Sequence, residues 1–403
     1  MSRSGRGHVG GPLASYAEGF RAELLGQGYS WGSAAHQVHL MAHLSRWLEA
    51  QGLEPAVLDE RLAGQFLAAR RADGYAALWS ARAVAPVLGY LRGLGVVVPP
   101  RTPVPQTLAD GLAARFGEYL ARERSLAGDS VRSYTGVARR FLAEVALGDE
   151  AGALGLTAAE VTGFVRRECA RRSVASAKAT VTGLRALLRF LYLDGQITAP
   201  LAGAVPAAAC WRLAALPRAV SPAELVRLMD SCDRDSAAGR RDFAILVLLA
   251  RLGLRAGEVA ALDLGDIRWR QGEIIVRGKG RRRDILPLPA DAGEAVAGWL
   301  AGGRPRDAAC LAVFVRLPAP HDRLASGSVS YVVRRACARA GVTAAGAHRL
   351  RHSAATGMLA AGGTLAEIGQ VLRHAQPGTT AIYAKADVLA LSPLARPWPG
   401  GPR

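Results

Sequence analysis

Two stretches of this chain repeat one another at a distance of a hundred residues, and that duplication restricts the first half to a pair of like units. VAPVLGYLRGLGVVVPP (84–100) is matched by LRALLRFLYLDGQITAP (184–200), with Gly95 facing Gly195 and Pro100 facing Pro200. Upstream, FRAELLGQG parallels FGEYLARERS, LSRWLEAQG parallels VARRFLAEV, and LDERLAGQFLAARR parallels LTAAEVTGFVRR. Apolar residues recur every three or four positions in each segment, and glycines close the segments, so each unit reads as four short helices. The predicted units are 1–104, with a Gly/Arg/Ser-rich start over 1–14, and 105–203. The Pro-rich stretch PPRTPVPQT (99–107) joins them as a linker, and 201–220 is a second linker.

Ser221-Pro222-Ala223-Glu224 is a capping box with proline at the first helical position, so a third domain is predicted over 218–403. Its beginning, RRDFAILVLLARLGLRAGEVAAL, reads as an apolar helix, a turn at Gly253 and a second helix from about Ala256. Arg255 stands at the end of a buried segment and needs an anionic partner there; Glu258, three residues on, is one. Between Asp266 and Pro289 the pattern alternates as three strands, with turns at 270–272 and at Gly278-Lys279-Gly280. The fold class that follows is mainly α with a small antiparallel β-sheet in the third domain: two helical bundles, then an α+β domain.

Composition narrows the partner. Lysine and arginine number 51 against 33 acidic residues, a net charge of +18, which suits a polyanion whose counterions are released on binding. Three of those 51 are lysines (Lys178, Lys279, Lys385), so a lysine kept in the Gly-Lys-Gly turn suggests a group chosen because it can give up a proton. The five cysteines show no paired spacing and read as buried thiols in a reducing compartment. No apolar run reaches membrane-spanning length and the N-terminus lacks a signal-peptide core, so no membrane association is expected and the location is cytoplasmic. His36, His39 and His43 share a helical face without nearby cysteines or carboxylates, so no metal is assigned there. His321 is read as a surface loop residue.

The C-terminal stretch Gly346–Lys385 concentrates chemistry-bearing side chains at helical spacing. A helix starting near His348 places His348 and Arg351 on one face and stops at Gly362-Gly363. Thr364 and Glu367 form a capping box for a helix running to about Arg373, with His374 at its end. Thr379-Thr380 caps a last short helix that carries Tyr383. His348 and His352 have the spacing of a zinc helix but lack its glutamate, so metal is discounted again.

The series G-L-R-x-x-E (Arg255, Glu258), G-K-G (Lys279), H-x-x-R (His348, Arg351), L-R-H (His374) and Tyr383, in that order, resembles the catalytic domain of the tyrosine recombinase (phage integrase) family. The resemblance implies that Arg255, Arg351 and His374 hold the scissile phosphate, that Tyr383 is the nucleophile, and that Lys279 protonates the leaving 5′ oxygen. His348 is the candidate base, with Glu258 and His352 supporting. No cofactor is needed, because a 3′-phosphotyrosyl link conserves the energy of the broken bond. The second bundle resembles the family's core-binding domain, with Ser130, Ser133, Tyr134, Arg139 and Arg140, together with the pairs 166–167 and 171–172, as phosphate contacts; Arg281, Arg282 and Arg283 extend them beside the turn. Double-stranded DNA is the implied partner and a homotetramer on DNA the implied assembly, with the tail beyond Val388 docking on a neighbouring subunit. Two other readings stand beside site-specific recombination: a topoisomerase-like nicking-closing enzyme, and a catalytically silent DNA-binding regulator.

Overall fold

The computed structural model of the chain describes residues 9–99, 107–145, 155–207, 219–278, 282–374, 377–381 and 383. They divide into two compact units, one of residues 1–99 with 215–403, the other of residues 100–214. Among the described residues four apolar clusters underlie these units: one in each bundle, a large one in the C-terminal part, and a small one there made of Ala355, Ile368, Leu372 and Tyr383.

The first bundle comprises α1 (Ala17–Gly26), α2 (Trp31–Ala50), α3 (Glu60–Ala72) and α4 (Ala81–Gly93). Ser30 and Asp59 cap α2 and α3 by accepting from the backbone N–H groups of Ser33 and Leu62. On α2, Ala34, Val38, Met41, Leu44 and Leu48 are buried, a spacing of three and four that turns one stripe inward. The second bundle comprises α5 (Leu108–Arg122), α6 (Gly128–Glu144), α7 (Ala158–Ala170) and α8 (Val174–Leu193). The two bundles end alike. Leu91 O accepts from Val96 N and Val97 N at 3.0 and 3.3 Å, and Leu191 O accepts from Gln196 N and Ile197 N at 2.8 and 3.3 Å. Gly95 and Gly195 supply the left-handed residue that this closure needs, at φ +72° and +71°. The linker expected from 201 begins later than that. Leu201–Ala204 forms a 3₁₀ turn, Val205 is buried in the second core, and its carbonyl accepts from Arg185 Nη2 at 2.8 Å.

The C-terminal part carries α9 (Pro222–Asp230), α10 (Ala237–Arg251), α11 (Ala256–Ala261), β1 (Ile267–Arg268), β2 (Glu273–Arg277), β3 (Arg283–Pro287), α12 (Ala290–Gly302), α13 (Ser326–Arg339), α14 (Ala347–Ala360), α15 (Leu365–Val371) and α16 (Pro377–Thr380). Apolar α10 is central and packs on α9, α12, α13 and α14. Trp299 and Phe314 stack beside it and are fully buried, worth about 2–3 kcal/mol each in apolar transfer. The strands form one antiparallel sheet in the order β1-β2-β3; Ile274, Val276 and Leu286 face inward, and Arg277 pairs with Arg283 at the hairpin end. The chain is thus mainly helical with a small antiparallel sheet, as its patterning predicts. His321 departs from expectation: its side chain is 10% exposed and lies 3.6 Å from Asp307. Among the described residues no helix is long and apolar enough to cross a membrane.

Candidate active site

Helix α14 places His348, Arg351 and His352 on one face, at the i, i+3 and i+4 positions. Arg351 is 2% exposed, and its guanidinium is held by two backbone carbonyls: Nη1 donates to Gly253 O at 2.5 Å and Nη2 to Leu372 O. Those carbonyls belong to the turn between α10 and α11 and to the end of α15, so one side chain ties three segments together. The turn requires glycine. Gly253 has φ +56°, and a Cβ there would lie 2.5 Å from Leu372 Cδ2. Burial, then the charge of Arg255, pushes the pKa of Arg351 down to about 10, which leaves it charged at neutral pH.

The second anchor is Glu258, 4% exposed on α11. Its carboxylate accepts from Arg255 Nη1 at 2.5 Å, from the Arg255 backbone N–H at 2.8 Å and from Arg373 Nη2 at 2.7 Å. Burial works to raise its pKa, but the hydrogen bond from the Arg255 backbone and the two guanidiniums outweigh that and hold it below the ordinary carboxylate value. Arg255 itself is not buried. The preceding residues 252–254 are, but its side chain is 46% exposed, which corrects the expectation of a buried arginine and leaves its charge facing solvent. Arg373 takes the buried place instead, at 4% side-chain exposure. It lies beyond the end of α15 rather than inside that helix, at φ +55°, a left-handed conformation unusual for a long side chain. Sequence reasoning missed Arg373. The available signal was an arginine standing where a left-handed cap favours glycine or asparagine.

Tyr383 is 1% exposed and packs against Ala355, Ile368 and Leu372, yet its phenol oxygen turns toward the basic cluster. Tyr383 Oη lies 2.8 Å from His352 Nδ1; with the phenol protonated, O–H donates to Nδ1 and the ring proton of His352 sits on Nε2. The phenol's neighbour is therefore His352, and His348 stands one step back, its ring 4.3 Å from that of His352. His374 stacks parallel to Tyr383 at 6.4 Å and its Nδ1 is 2.7 Å from Thr380 Oγ1. Burial, reinforced by His348 and Arg351, lowers His352 to about 4; burial, then Arg351 and Arg255, lowers His374 to about 4. His348 is lowered too, by burial and then by Arg351 and Arg255. Burial raises the pKa of Tyr383, against the pull of Arg351 and Arg255. All three imidazoles are thus neutral at pH 7, surrounded by guanidiniums: the cluster is built to receive an anion.

A cleft of about 680 Å³ opens beside His374, with Arg373 and Thr380 on one side and Arg282 and Asp284 from the hairpin on the other. Gly278 N donates to Arg282 O at 2.7 Å, but Lys279 and Arg281 lie outside the described residues, as does the tail beyond Tyr383. Arg282 Nε contacts Asp284 at 3.2 Å, and Arg283 is exposed on β3. In the second bundle, α6 carries Ser130, Ser133, Tyr134, Arg139 and Arg140. Ser133 and Arg139 are exposed, Ser130 is half-buried, Tyr134 packs against the core, and Arg140 Nε contacts Glu168 at 3.1 Å. Arg167 and Arg172 are also ion-paired, with Glu144 and Glu168, both at 2.8 Å. Among the described residues no three His, Cys, Asp or Glu side chains stand together as a metal site.

The chain is similar to known proteins. The model of the phage integrase family matches residues 218–389. The chain is 38% identical, over 97% of its length and 95% of the other, to a putative integrase/recombinase, y4rA, of Sinorhizobium fredii. It is 32% identical, over 68% of its length and 92% of the other, to the tyrosine recombinase XerD of Mycobacterium tuberculosis. A lambda integrase tetramer solved on a Holliday junction is similar in fold, with a TM-score of 0.51 and 17% identity over 74% of this chain and 85% of that one.

Proposed function

The chain belongs to the phage integrase family of tyrosine recombinases, and from that premise we propose how its own side chains cut and rejoin DNA. It is a site-specific DNA recombinase; the topoisomerase-like and regulator readings are not favoured. Arg255 and Arg351 bring fixed positive charge to the non-bridging oxygens of the scissile phosphate, where it counts most as the transition state crowds, and neutral His374 adds a ring N–H donor to them. Tyr383 Oη attacks phosphorus and the bond to the 5′ oxygen breaks. The phenol proton passes to His352 Nδ1, and Lys279 gives a proton to the leaving oxygen. The product is a 3′-phosphotyrosyl ester and a free 5′ hydroxyl, so rejoining is the same step reversed with a new hydroxyl.

The 2.8 Å contact between Tyr383 and His352 supports this assignment most directly. On this reading the base role, expected of His348, falls to His352, and His348 orients its neighbour. Glu258 holds Arg255 in place. Residues 1–104, 105–203 and 218–403 are assigned as first bundle, core-binding bundle and catalytic domain. Ser133 and Arg139 on α6 and Arg281–Arg283 on the hairpin are the contacts to duplex phosphates, and the working assembly is a tetramer on DNA in the cytoplasm. A nicked suicide substrate tests the chemistry. Tyr383→Phe loses the covalent adduct while retaining DNA binding, and an adduct that persists in this variant removes Tyr383 from the reaction. His352→Ala slows adduct formation about 100-fold or more; a larger loss in His348→Ala returns the base role to His348.

A further inference from the structure

A neutral imidazole carries a single ring proton, so it can offer the scissile phosphate an N–H from one nitrogen only. His374 is such a ring: burial, then Arg351 and Arg255, hold it at about 4. Its Nδ1 lies 2.7 Å from Thr380 Oγ1. Among the described residues its Nε2 makes no hydrogen bond, and His374 lines the cleft beside the hairpin. With Nδ1 taken, Nε2 is the nitrogen left for a phosphate oxygen. It can donate there only if the ring proton stays off Nδ1.

Thr380 bears on where that proton sits. It closes α16, is 3% exposed, and among the described residues its hydroxyl has His374 as its one hydrogen-bond partner. A hydroxyl can both donate and accept. If Nδ1–H donated to Oγ1, the hydroxyl proton would be buried without an acceptor, which is costly. If O–H donates to Nδ1, both groups are satisfied and the ring proton is left on Nε2. His352 is arranged in the same way, with its Nδ1 2.8 Å from the Tyr383 hydroxyl. The surroundings make room for the contact. Gly369 lies inside α15, where glycine is a poor helix former, and a Cβ there would stand 3.0 Å from Thr380 Oγ1. The Gly369 carbonyl also accepts from the His374 backbone N–H at 2.9 Å, so the backbone and the ring of His374 are both held.

We propose that Thr380 is a positioning residue for strand cleavage: its hydroxyl donates to His374 Nδ1, keeps the ring in the Nε2–H tautomer and directs that N–H to a non-bridging oxygen of the phosphate. The role rests on the reading of His374 as a phosphate donor, and Thr380 acts through His374. Thr380 also stands three residues before Tyr383, whose ring lies parallel to that of His374 at 6.4 Å. The same bond therefore ties the phosphate donor to the segment that carries the nucleophile.

The full chain, with ¹⁵N-labelled histidine, is read first without DNA in a long-range ¹H–¹⁵N spectrum near neutral pH, with His374→Ala identifying the resonances. Nε2 is expected to carry the proton, and Nδ1 to show the shift of a hydrogen-bonded acceptor. In Thr380→Val that Nδ1 signal is expected to move to the position of an unbonded nitrogen. A protonated Nδ1 in the unaltered chain, or an unmoved Nδ1 in the variant, overturns the proposal whatever the fate of the catalytic reading. Single-turnover adduct formation on the nicked suicide substrate follows. Thr380→Val is expected to be about tenfold slower, and Thr380→Ser to restore most of that loss. In a His374→Ala background, Thr380→Val is expected to cost less than about twofold more. A further tenfold loss there makes Thr380 merely structural and overturns the proposal. An undiminished rate in His374→Ala sinks the reading of His374 itself, and with it the role of Thr380 in cleavage, even where the spectrum shows the bond. Should Thr380→Val fail to fold, Thr380→Ala carries the same comparisons with the same expected results.

Discussion

The catalytic cluster and a hollow of the first bundle, lined by His43, Arg46, Arg70, Asp73 and Tyr75, are built from similar materials and differ in how their guanidiniums are held. Each surrounds half-buried histidines with arginines, and each thereby lowers a histidine to about 4: His352 and His374 in the first case, His43 in the second. In the catalytic cluster a buried carboxylate, Glu258, anchors two guanidiniums, while Arg351 is anchored by carbonyls. Beside the hollow, among the described residues, Arg70 makes no ion pair and is held instead by the Ala77 carbonyl and the Tyr75 ring. A carboxylate fixes where a guanidinium points and cancels part of its charge, whereas a buried guanidinium held by a carbonyl and a ring keeps its full charge at a cost to stability.

The largest test of that contrast removes the anchor. Glu258→Gln leaves Arg373 buried without its anion and is expected to cost the C-terminal part about 3 kcal/mol, read as a lower denaturant midpoint. Adduct formation should fall about 100-fold, because Arg255 loses its fixed direction. If stability holds, Glu258 is not an anchor and the contrast fails. Next comes Arg373→Ala, expected to cost about 2 kcal/mol by breaking the same pair from the other side. Arg373→Gly should cost about 1 kcal/mol less than alanine, since glycine relieves the left-handed backbone; equal losses would mean that the conformation carries no strain.

Acid gives a smaller, graded effect. His352 and His374 have folded values of about 4, below the unfolded value near 6.5. Folding therefore favours their neutral forms, so their contribution is complete above pH 6.5 and is lost as pH falls through 6.5 toward 4. The slope of melting temperature against pH in that window should flatten in the double variant His352→Asn, His374→Asn, and an unchanged slope would place the acid sensitivity elsewhere. Arg70→Met should have the smallest effect, within about 1 kcal/mol in either direction, because it removes an unpaired charge along with one hydrogen bond. A loss as large as that of Glu258→Gln would show Arg70 to be an anchor too.

Much of the fold was legible because it rests on local signals. The helical periods, the capping residues Ser221, Thr364 and Glu367, and the paired glycines Gly95 and Gly195 act within a few residues of themselves, and the structure uses each as read. The order of arginine, histidine and tyrosine motifs was legible for a different reason: their spacing is constrained by the helices that carry them. Arg373 was not legible. Its left-handed backbone breaks the rule that local reading applies, and its partner Glu258 lies 115 residues earlier. Arg255 was misread as buried because a short apolar run does not say which way the next side chain turns.

The sequence by itself determined which helices form, that the first half is doubled, and that the C-terminal part gathers arginines, histidines and a tyrosine. Only the tertiary structure decided which imidazole meets the phenol, which arginine is buried against Glu258 and which buried arginine has no anion. Helix period and caps are properties of neighbours along the chain, and their energies act over one or two turns. Hydrogen bonds, ion pairs and desolvation act through space over a few ångströms, and packing alone sets which distant residues come that close.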